Sequence, residues 1–363
     1  MIYLDYQATT PLAPEARDAM LRWLGGPEST GFGNPHSAHR LGRQAAAAVE
    51  VAREQVAALL PPGGRVVFTS GATEALNTAL RGTGGDVLTF ASEHAAVLDC
   101  AQAVERQGRG FAVLPVQADG RADCDALERE LGSETGLVAA MLVNNEIGTV
   151  NPLPEVAAIA RGRGALVLCD AVQGFGRIAI PDAADLIAIS AHKIHGPKGI
   201  GALWIRDGVE PEPLMFGGGQ EQGLRSGTLS PALCAGFGAA ARLAAERMED
   251  DAAHVARLWA RARALLSGWT LNGSGEARWK GNLNLRRQGL DVARLMSDLR
   301  DLCFSAGSAC ASGSGRPSHV LRAIGLTDKQ AKSSIRLGFG RYTTMEKIER
   351  AAQMIDRAAA AQE

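Results

Sequence analysis

The residues best placed to do chemistry lie in the stretch SAHKIHGPKGIG, positions 190–201. Lys193 follows the wholly apolar run LIAIS, which reads as a strand. It therefore stands at a strand's carboxyl end, where open α/β sheets place their ligands. A lysine partly withdrawn from water holds its proton less tightly, and the neutral amine can form a Schiff base with a carbonyl cofactor. Twenty-three residues earlier the run ALVLCD ends in Asp170, with Gln173 three positions further on. If the two strands lie close in one sheet, a carboxylate and an amine emerge on the same edge. That pair is what a pyridoxal phosphate site requires, the carboxylate for the pyridinium nitrogen and the amine for the aldehyde carbon. In TSGATEALN (69–77) a strand gives way through Gly71, Ala72 and Thr73 to a helix. Such a turn presents backbone N–H groups and the positive end of a helix dipole to a phosphate, and the Thr73 hydroxyl adds a bond. His94, after the run DVLTFAS, could stack on a cofactor ring or move protons, and Asn145 ends a fourth run.

Each feature alone has a plainer alternative: a solvated loop lysine, an ordinary strand-to-helix turn, a histidine that caps a helix, an asparagine that forms a turn. What singles them out is the convergence of four strand ends on one crevice.

The elements that must position them follow from periodicity. From Arg65 to Trp204 short apolar runs alternate with helical patterns, which indicates an α/β fold with a mostly parallel sheet covered on both faces. A long helical pattern, Ser37 to Leu60 with Ser37 as N-cap, precedes this block. Residues 230–268 read as one long or broken helix linking two domains. Short strands WTLNGS and NLNLRR, the helix DVARLMSDLRD, the strand SIRLGFG and a last helix from about Thr343 then form a smaller α+β unit. Between them Gly307–Gly315 holds three glycines, three serines, two alanines and Cys310, a composition that predicts a mobile loop.

Composition narrows the classes. With 363 residues, 46% of them apolar and 21% charged, the chain is neither disordered nor fibrous. A net charge of −1 argues against a broad electrostatic footprint for nucleic acid or anionic membrane. Only six of the 38 basic residues are lysine, so an amine-dependent reaction has few candidates. The six cysteines contain no CxxC pair, which argues against a zinc ribbon or a dithiol; no metal site is expected. They are too sparse for a disulfide scaffold and read as reduced thiols in a cytosol. Cys100, Cys169 and Cys234 fall within apolar patterns and read as small buried hydrophobes. No secretory signal opens the sequence, and the longest apolar stretch, Leu137–Val143, is far short of the roughly 18 residues a span needs. A soluble cytoplasmic protein is expected.

Several stretches together resemble the cysteine desulfurases of the NifS/IscS group, in the class V aminotransferase branch of the fold-type I pyridoxal phosphate enzymes. They are GNPHSAHRLG (33–42), TSGATEALN, SEHAAVLD (92–99), VNNEIGTV (143–150), CDAVQ (169–173), SAHKIHGPKGIGAL (190–203), GGGQEQGLRSGTLS (217–230), SAGSACAS (305–312) and SSIRLGFGRYTT (333–344). The resemblance runs in family order from DYQATTP at residue 5 to about residue 350. It implies a large cofactor-binding domain of residues 16–246, and a small domain of residues 1–15 and 247–363 carrying the catalytic cysteine loop. Position by position, Lys193 is similar to the Schiff-base lysine, Asp170 to the pyridinium partner, Gln173 to a donor to the ring hydroxyl, and His94 to the stacking imidazole and proton carrier. Ala72, Thr73, Ser190 and His192 match the cofactor's phosphate cradle, and Thr228 matches a threonine that reaches the phosphate from the other subunit of a homodimer. Arg336 matches the arginine that forks onto the substrate carboxylate, a task suited to a planar guanidinium. Asn145 and Asn34 match cofactor or substrate contacts.

Cys310 matches the nucleophile, whose thiolate takes sulfur from L-cysteine, leaves L-alanine and carries the persulfide to an acceptor protein or iron–sulfur scaffold, or towards tRNA or cofactor thiolation. It would ligate an iron–sulfur cluster only transiently. Alternatives are a selenocysteine lyase or class V aminotransferase using the same lysine and aspartate, or a sulfur-relay platform that has lost catalysis. The chain departs from the family pattern at Ala191, where SGHK is usual, and at Gln222, where many relatives carry arginine. It also ends without the longer tail by which housekeeping members dock a scaffold, and the R-x-G-H-x-C signature of the other desulfurase group is absent.

Overall fold

The structure, a computed structural model, describes residues 1–307 and 317–362. The chain opens with β1 (Ile2–Tyr3), α1 (Pro14–Leu21) and α2 (Arg40–Ala57). The central block follows as β2 (Gly64–Thr69), α3 (Ala72–Gly82), β3 (Asp86–Phe90), α4 (Ala95–Glu105), β4 (Phe111–Leu114), α5 (Cys124–Glu130), β5 (Thr135–Met141), α6 (Leu153–Arg161), β6 (Leu166–Asp170), β7 (Leu186–Ser190) and β8 (Gly201–Arg206). Its seven strands form one sheet in the order β2-β8-β7-β6-β5-β3-β4. β8 runs antiparallel to both its neighbours, and the remaining pairings are parallel.

The interior strands of this sheet are apolar along most of their length because both faces are covered. Along β7, Ile187 and Ile189 enter the core on one face while Leu186 and Ala188 enter the core on the other. β2 divides in the same way, Val66 and Phe68 against Val67. Each of these Ile, Leu, Val and Phe side chains, fully removed from water, contributes about 1.5–3 kcal/mol.

α7 (Pro231–Leu265) is a single unbroken helix of 35 residues, started by Ser230, whose hydroxyl accepts the Leu233 N–H at 3.4 Å. It packs against α1 and α2 and also against the last helix, α11 (Met345–Ala360), so one element backs both parts of the chain. Between α7 and α11 come β9 (Thr270–Leu271), β10 (Asn282–Arg286), α8 (Val292–Asp298), β11 (Leu302–Cys303), β12 (Ser305–Ala306), α9 (His319–Ala323), α10 (Asp328–Lys332) and β13 (Ser334–Gly338). The antiparallel order β12-β13-β10-β9 makes a second sheet, and β1 returns from the start of the chain to pair in parallel with β11. Among the described residues no helix is long and apolar enough to cross a membrane.

Two sequence expectations are corrected. α2 spans Arg40–Ala57, not 37–60, and its N-cap is His39, whose Nδ1 accepts the Gly42 N–H at 3.3 Å; Ser37 lies one turn outside, its own N–H bound to the Asn34 carbonyl. Asn145 does not end a strand, because β5 stops at Met141. Asn144 accounts for this: its side-chain oxygen takes the N–H groups of Glu146 (2.9 Å) and Ile147 (3.0 Å), which closes a turn in place of a ladder.

Candidate active site

Asp170 and Lys193 meet because their strands are neighbours: β6 and β7 pair in parallel with Asp170 opposite Ala188, and a tight turn, Ala191–Lys193, follows β7 directly. Ala191, fully buried, anchors that turn by accepting the N–H groups of Ile194 (3.0 Å) and Gly196 (2.9 Å). The site is a crevice of about 510 Å³ at the carboxyl ends of the strands, lined among others by Ala72, Thr73, His94, Asn145, Asp170, Gln173, Ser190, His192, Lys193 and Arg336. Asn34 is not brought there, and Thr228, expected to serve the other subunit's site, lies outside this chain's own crevice. Asn34 is exposed, its side-chain oxygen occupied by the His36 N–H (2.9 Å), and Thr228 is exposed in the loop before α7. Cys310 lies outside the described residues.

Among the described residues the Lys193 amine is held by main-chain oxygen, donating to the carbonyls of Gln7 (2.5 Å) and Ala8 (2.8 Å). Burial pushes its pKa down to about 8; the Arg177 and Arg336 cations push the same way, against Asp170 and Asp5. Residues 7–10 also grip the lysine turn from outside: the Thr10 hydroxyl donates to the His192 carbonyl (2.9 Å) and accepts the His195 N–H (2.8 Å). This strap was not singled out from the sequence, although it falls within DYQATTP, because its contribution is backbone carbonyls.

Asp170 is buried and one of its oxygens accepts the Val172 N–H at 3.0 Å. Burial raises its pKa, opposed by His94, by that N–H and by Lys193. His94 caps α4 and lines the crevice at once, so the plain and the functional readings of this histidine hold together. Its Nδ1 accepts the Ala96 N–H at 3.1 Å, which leaves Nε2 to carry the hydrogen of the neutral ring. Burial lowers its pKa, with Asp170 opposing and Lys193 and His319 assisting. Behind it Glu93, wholly buried, accepts the Met141 N–H at 2.6 Å, and burial together with Asp170 holds its pKa well above the carboxylate range. His192 is pushed down to about 4 by burial and by the cations Lys193, Lys198 and Arg177, so it is neutral at ordinary pH.

The opposite wall comes from the antiparallel sheet. Arg336, in β13 and 1% exposed, donates to the Asn145 carbonyl (3.0 Å), to Asp5 (2.8 Å) and to the Ser305 hydroxyl (3.2 Å). Its Nε is buried with no partner among the described residues. Asp5 is a second residue that sequence reasoning missed; only its place in the N-terminal motif signalled it.

The crevice suits pyridoxal phosphate. No side chain caps the N-terminus of α3, so its first N–H groups are available for a phosphate. Gly201 in β8 allows the turn in, since a Cβ there would stand 2.8 Å from the Gly71 Cα. A buried carboxyl at the floor and a depressed lysine amine complete the donor set, in a volume ordinary for a small-molecule pocket.

The aminotransferase class-V family profile matches residues 2–351. The chain is 44% identical to the cysteine desulfurase IscS of Rickettsia akari, over 98% of this chain and 90% of that one. Its fold is similar to that of a solved NifS-like protein (TM-score 0.91, 30% identity, 99% of each chain covered). It is also similar to the structure described as SspA in complex with cysteine (TM-score 0.83, 32% identity, 95% of this chain and all of that one). With the alignment running nearly end to end and the lysine, aspartate and arginine gathered in one crevice, the chain belongs to the aminotransferase class-V family, on its cysteine desulfurase branch.

Proposed function

We propose that the protein is a pyridoxal 5′-phosphate-dependent L-cysteine desulfurase. The observation that carries this reading is the Lys193 amine, held between two carbonyls in a crevice that also contains Asp170, His94 and Arg336. The name of the similar structure with cysteine bound, and the names of the curated relatives, support the substrate.

The N–H groups of Ala72 and Thr73, with Ser190 and His192, would hold the phosphate, Asp170 the ring nitrogen, and Gln173 the ring hydroxyl. When bound, the cofactor supplies a sink for the electron pair released at the substrate's α-carbon. Lys193 Nζ, depressed to about 8, is basic enough to take the α-proton and is unprotonated in about a tenth of the molecules at pH 7, far more than an ordinary lysine. Arg336 binds the substrate carboxylate, and His94, with hydrogen on Nε2, delivers or receives a proton on the crevice side. Cys310 supplies the thiolate: a new S–S bond forms to the substrate sulfur as the substrate C–S bond breaks, and the carbon fragment takes a proton and leaves as L-alanine. The persulfide then passes to a sulfur-acceptor protein.

The exposed position of Thr228 supports a homodimer in which this residue completes the partner's phosphate cradle. The two separate sheets, and the packing of α7 against α1 and α2 as well as α11, support a large unit of residues 16–246 and a small unit of residues 1–15 and 247–363. The cysteines among the described residues are all unpaired, which supports a cytoplasmic setting.

Borohydride reduction of the purified yellow protein, followed by peptide mass analysis, is expected to place a pyridoxyl adduct on Lys193, and L-cysteine should be converted to alanine. A protein that stays colourless with added pyridoxal phosphate would refute the reading. Cys310→Ala should retain the adduct and lose sulfur transfer; a variant that still releases sulfide at the parental rate removes Cys310 from the nucleophile's role.

A further inference from the structure

Beneath the lysine turn lies a cation that the chemistry above leaves unused. Arg177 follows Gln173 by one turn of chain, and its guanidinium binds in two directions. One terminal nitrogen donates to the Gln173 side-chain oxygen and to the Gln173 carbonyl (3.3 Å); the other donates to the Lys193 carbonyl at 2.7 Å. With its oxygen engaged, Gln173 must turn its amide nitrogen outward, and this donates to the Gln7 carbonyl at 2.9 Å. The same carbonyl accepts the Lys193 amine. The circuit closes: Arg177 fixes both the lysine's own backbone and the oxygen on which its amine rests.

The guanidinium has no carboxylate partner among the described residues. The acids nearby are committed elsewhere, Asp251 to Arg341 (2.6 Å), Asp5 to Arg336 (2.8 Å) and Asp170 to the Val172 N–H (3.0 Å). What Arg177 has besides carbonyl and amide oxygens is the Trp279 ring, 6.0 Å from its Cζ. Burial brings its pKa down only to about 10, so it stays charged at neutral pH. The other groups that act on the amine are Arg336, Asp170 and Asp5, with the imidazoles of His94 and His192 alongside.

We propose that Arg177 is a positioning residue for Lys193: an unneutralised guanidinium that locks Gln173 and the Gln7 carbonyl in place and repels a proton from the amine. A half-buried structural arginine would normally be expected to bring a counter-ion with it. Here the missing acid is the functional point, because a carboxylate on Arg177 would cancel its field at Lys193. The inference rests on Lys193 being the cofactor-binding amine, and its test does not depend on turnover.

Full-length protein freed of cofactor is treated with trinitrobenzenesulfonate across a pH series, and modification of Lys193 is quantified by peptide mass. In Arg177→Gln, which keeps a donor for the Lys193 carbonyl and loses the charge, the midpoint should rise by about one pH unit, a roughly tenfold slower reaction at neutral pH. Arg177→Lys keeps the charge and should keep the parental midpoint. Should the Gln variant fail to fold, Arg177→Met provides the same reading. A charge-free variant that labels with the parental midpoint, or an Arg177→Lys midpoint that rises as far as that of the charge-free variant, overturns the proposal. A missing pyridoxyl adduct at Lys193 in the parental protein would instead sink the cofactor reading, so the two failures are distinct.

Discussion

Two of the cations that line the crevice, Lys193 and Arg336, are held in opposite ways. On the edge built by the parallel sheet, Lys193 has carbonyl oxygens around its amine and a second cation, Arg177, beneath its backbone. On the edge built by the antiparallel sheet, Arg336 is buried against a carboxylate, Asp5. The difference follows from what each group can do. An amine can be persuaded by its surroundings to give up a proton, and burial beside Arg177 and Arg336 does so here against the pull of Asp170 and Asp5. A guanidinium cannot be deprotonated in a protein, so Arg336, placed to hold an anion, rests against the carboxylate of Asp5 until one arrives. One edge is arranged for proton transfer, the other for holding an anion.

The largest test breaks the first edge. Lys193→Ala removes the crevice amine that stands beside Asp170 and His94, and alanine formation from L-cysteine should fall by about 10⁴-fold. Arg336→Ala breaks the second edge: losing a forked, charge-assisted contact should raise KM for L-cysteine by roughly 10²-fold, with a smaller effect on kcat, read from steady-state kinetics. If kcat falls instead while KM holds, Arg336 serves the transition state and the contrast drawn here is wrong.

Asp5→Asn sharpens the comparison. The neutral amide still accepts a hydrogen bond but no longer competes as an anion for Arg336, so KM should fall by about 3-fold to 10-fold while the melting temperature drops. The edges also differ in titration. His192, beside Lys193, has its pKa lowered to about 4 by burial and by neighbouring cations, and the adjoining His195 is likewise brought to about 4, chiefly by burial. Between about pH 6.5 and pH 4 the unfolded chain binds protons that the folded chain refuses, so stability is lost as pH falls through that window. Thermal melts at successive pH values should show this loss, and His192→Asn should flatten it. The smallest effect is expected for Glu93→Gln: a carboxyl already held neutral is replaced by a neutral amide, and the pH–rate profile should be superimposable on the parental one. A displaced profile would mean that Glu93 is ionised beside Asp170.

Strand-end reasoning reached Lys193, Asp170 and His94 because apolar runs of five residues leave little doubt where a parallel strand stops. It failed where the strand's end was set by a side chain: the run reaching Asn145 is apolar enough to continue, and only Asn144 taking two N–H groups turns it. It chose Ser37 over His39 as a cap by residue preference, whereas the cap is chosen by which side chain meets the Gly42 N–H. Gln7 and Ala8 act through their carbonyls, which no residue type advertises. Arg177 was indistinguishable from 31 other arginines until Gln173, Gln7 and Lys193 were seen around it. Asn34 and Thr228 gave a clear family signal but lie exposed in the single chain.

The strap formed by residues 5–8 carries the counter-charge of Arg336 and the resting place of Lys193 within four residues, and it is stitched to the far end of the chain by β1 on β11. During synthesis Asp5 therefore emerges 331 residues before the arginine it pairs with. At about 5–20 residues per second that is a wait of roughly 15–70 s, through which the parallel sheet can already assemble around Lys193. The carbonyl cage of the amine needs only the N-terminal strap and the lysine turn, but the arginine wall closes when the two ends of the polypeptide meet, so a nascent chain that stops short of β13 would have a lysine in its cage and no partner for Asp5.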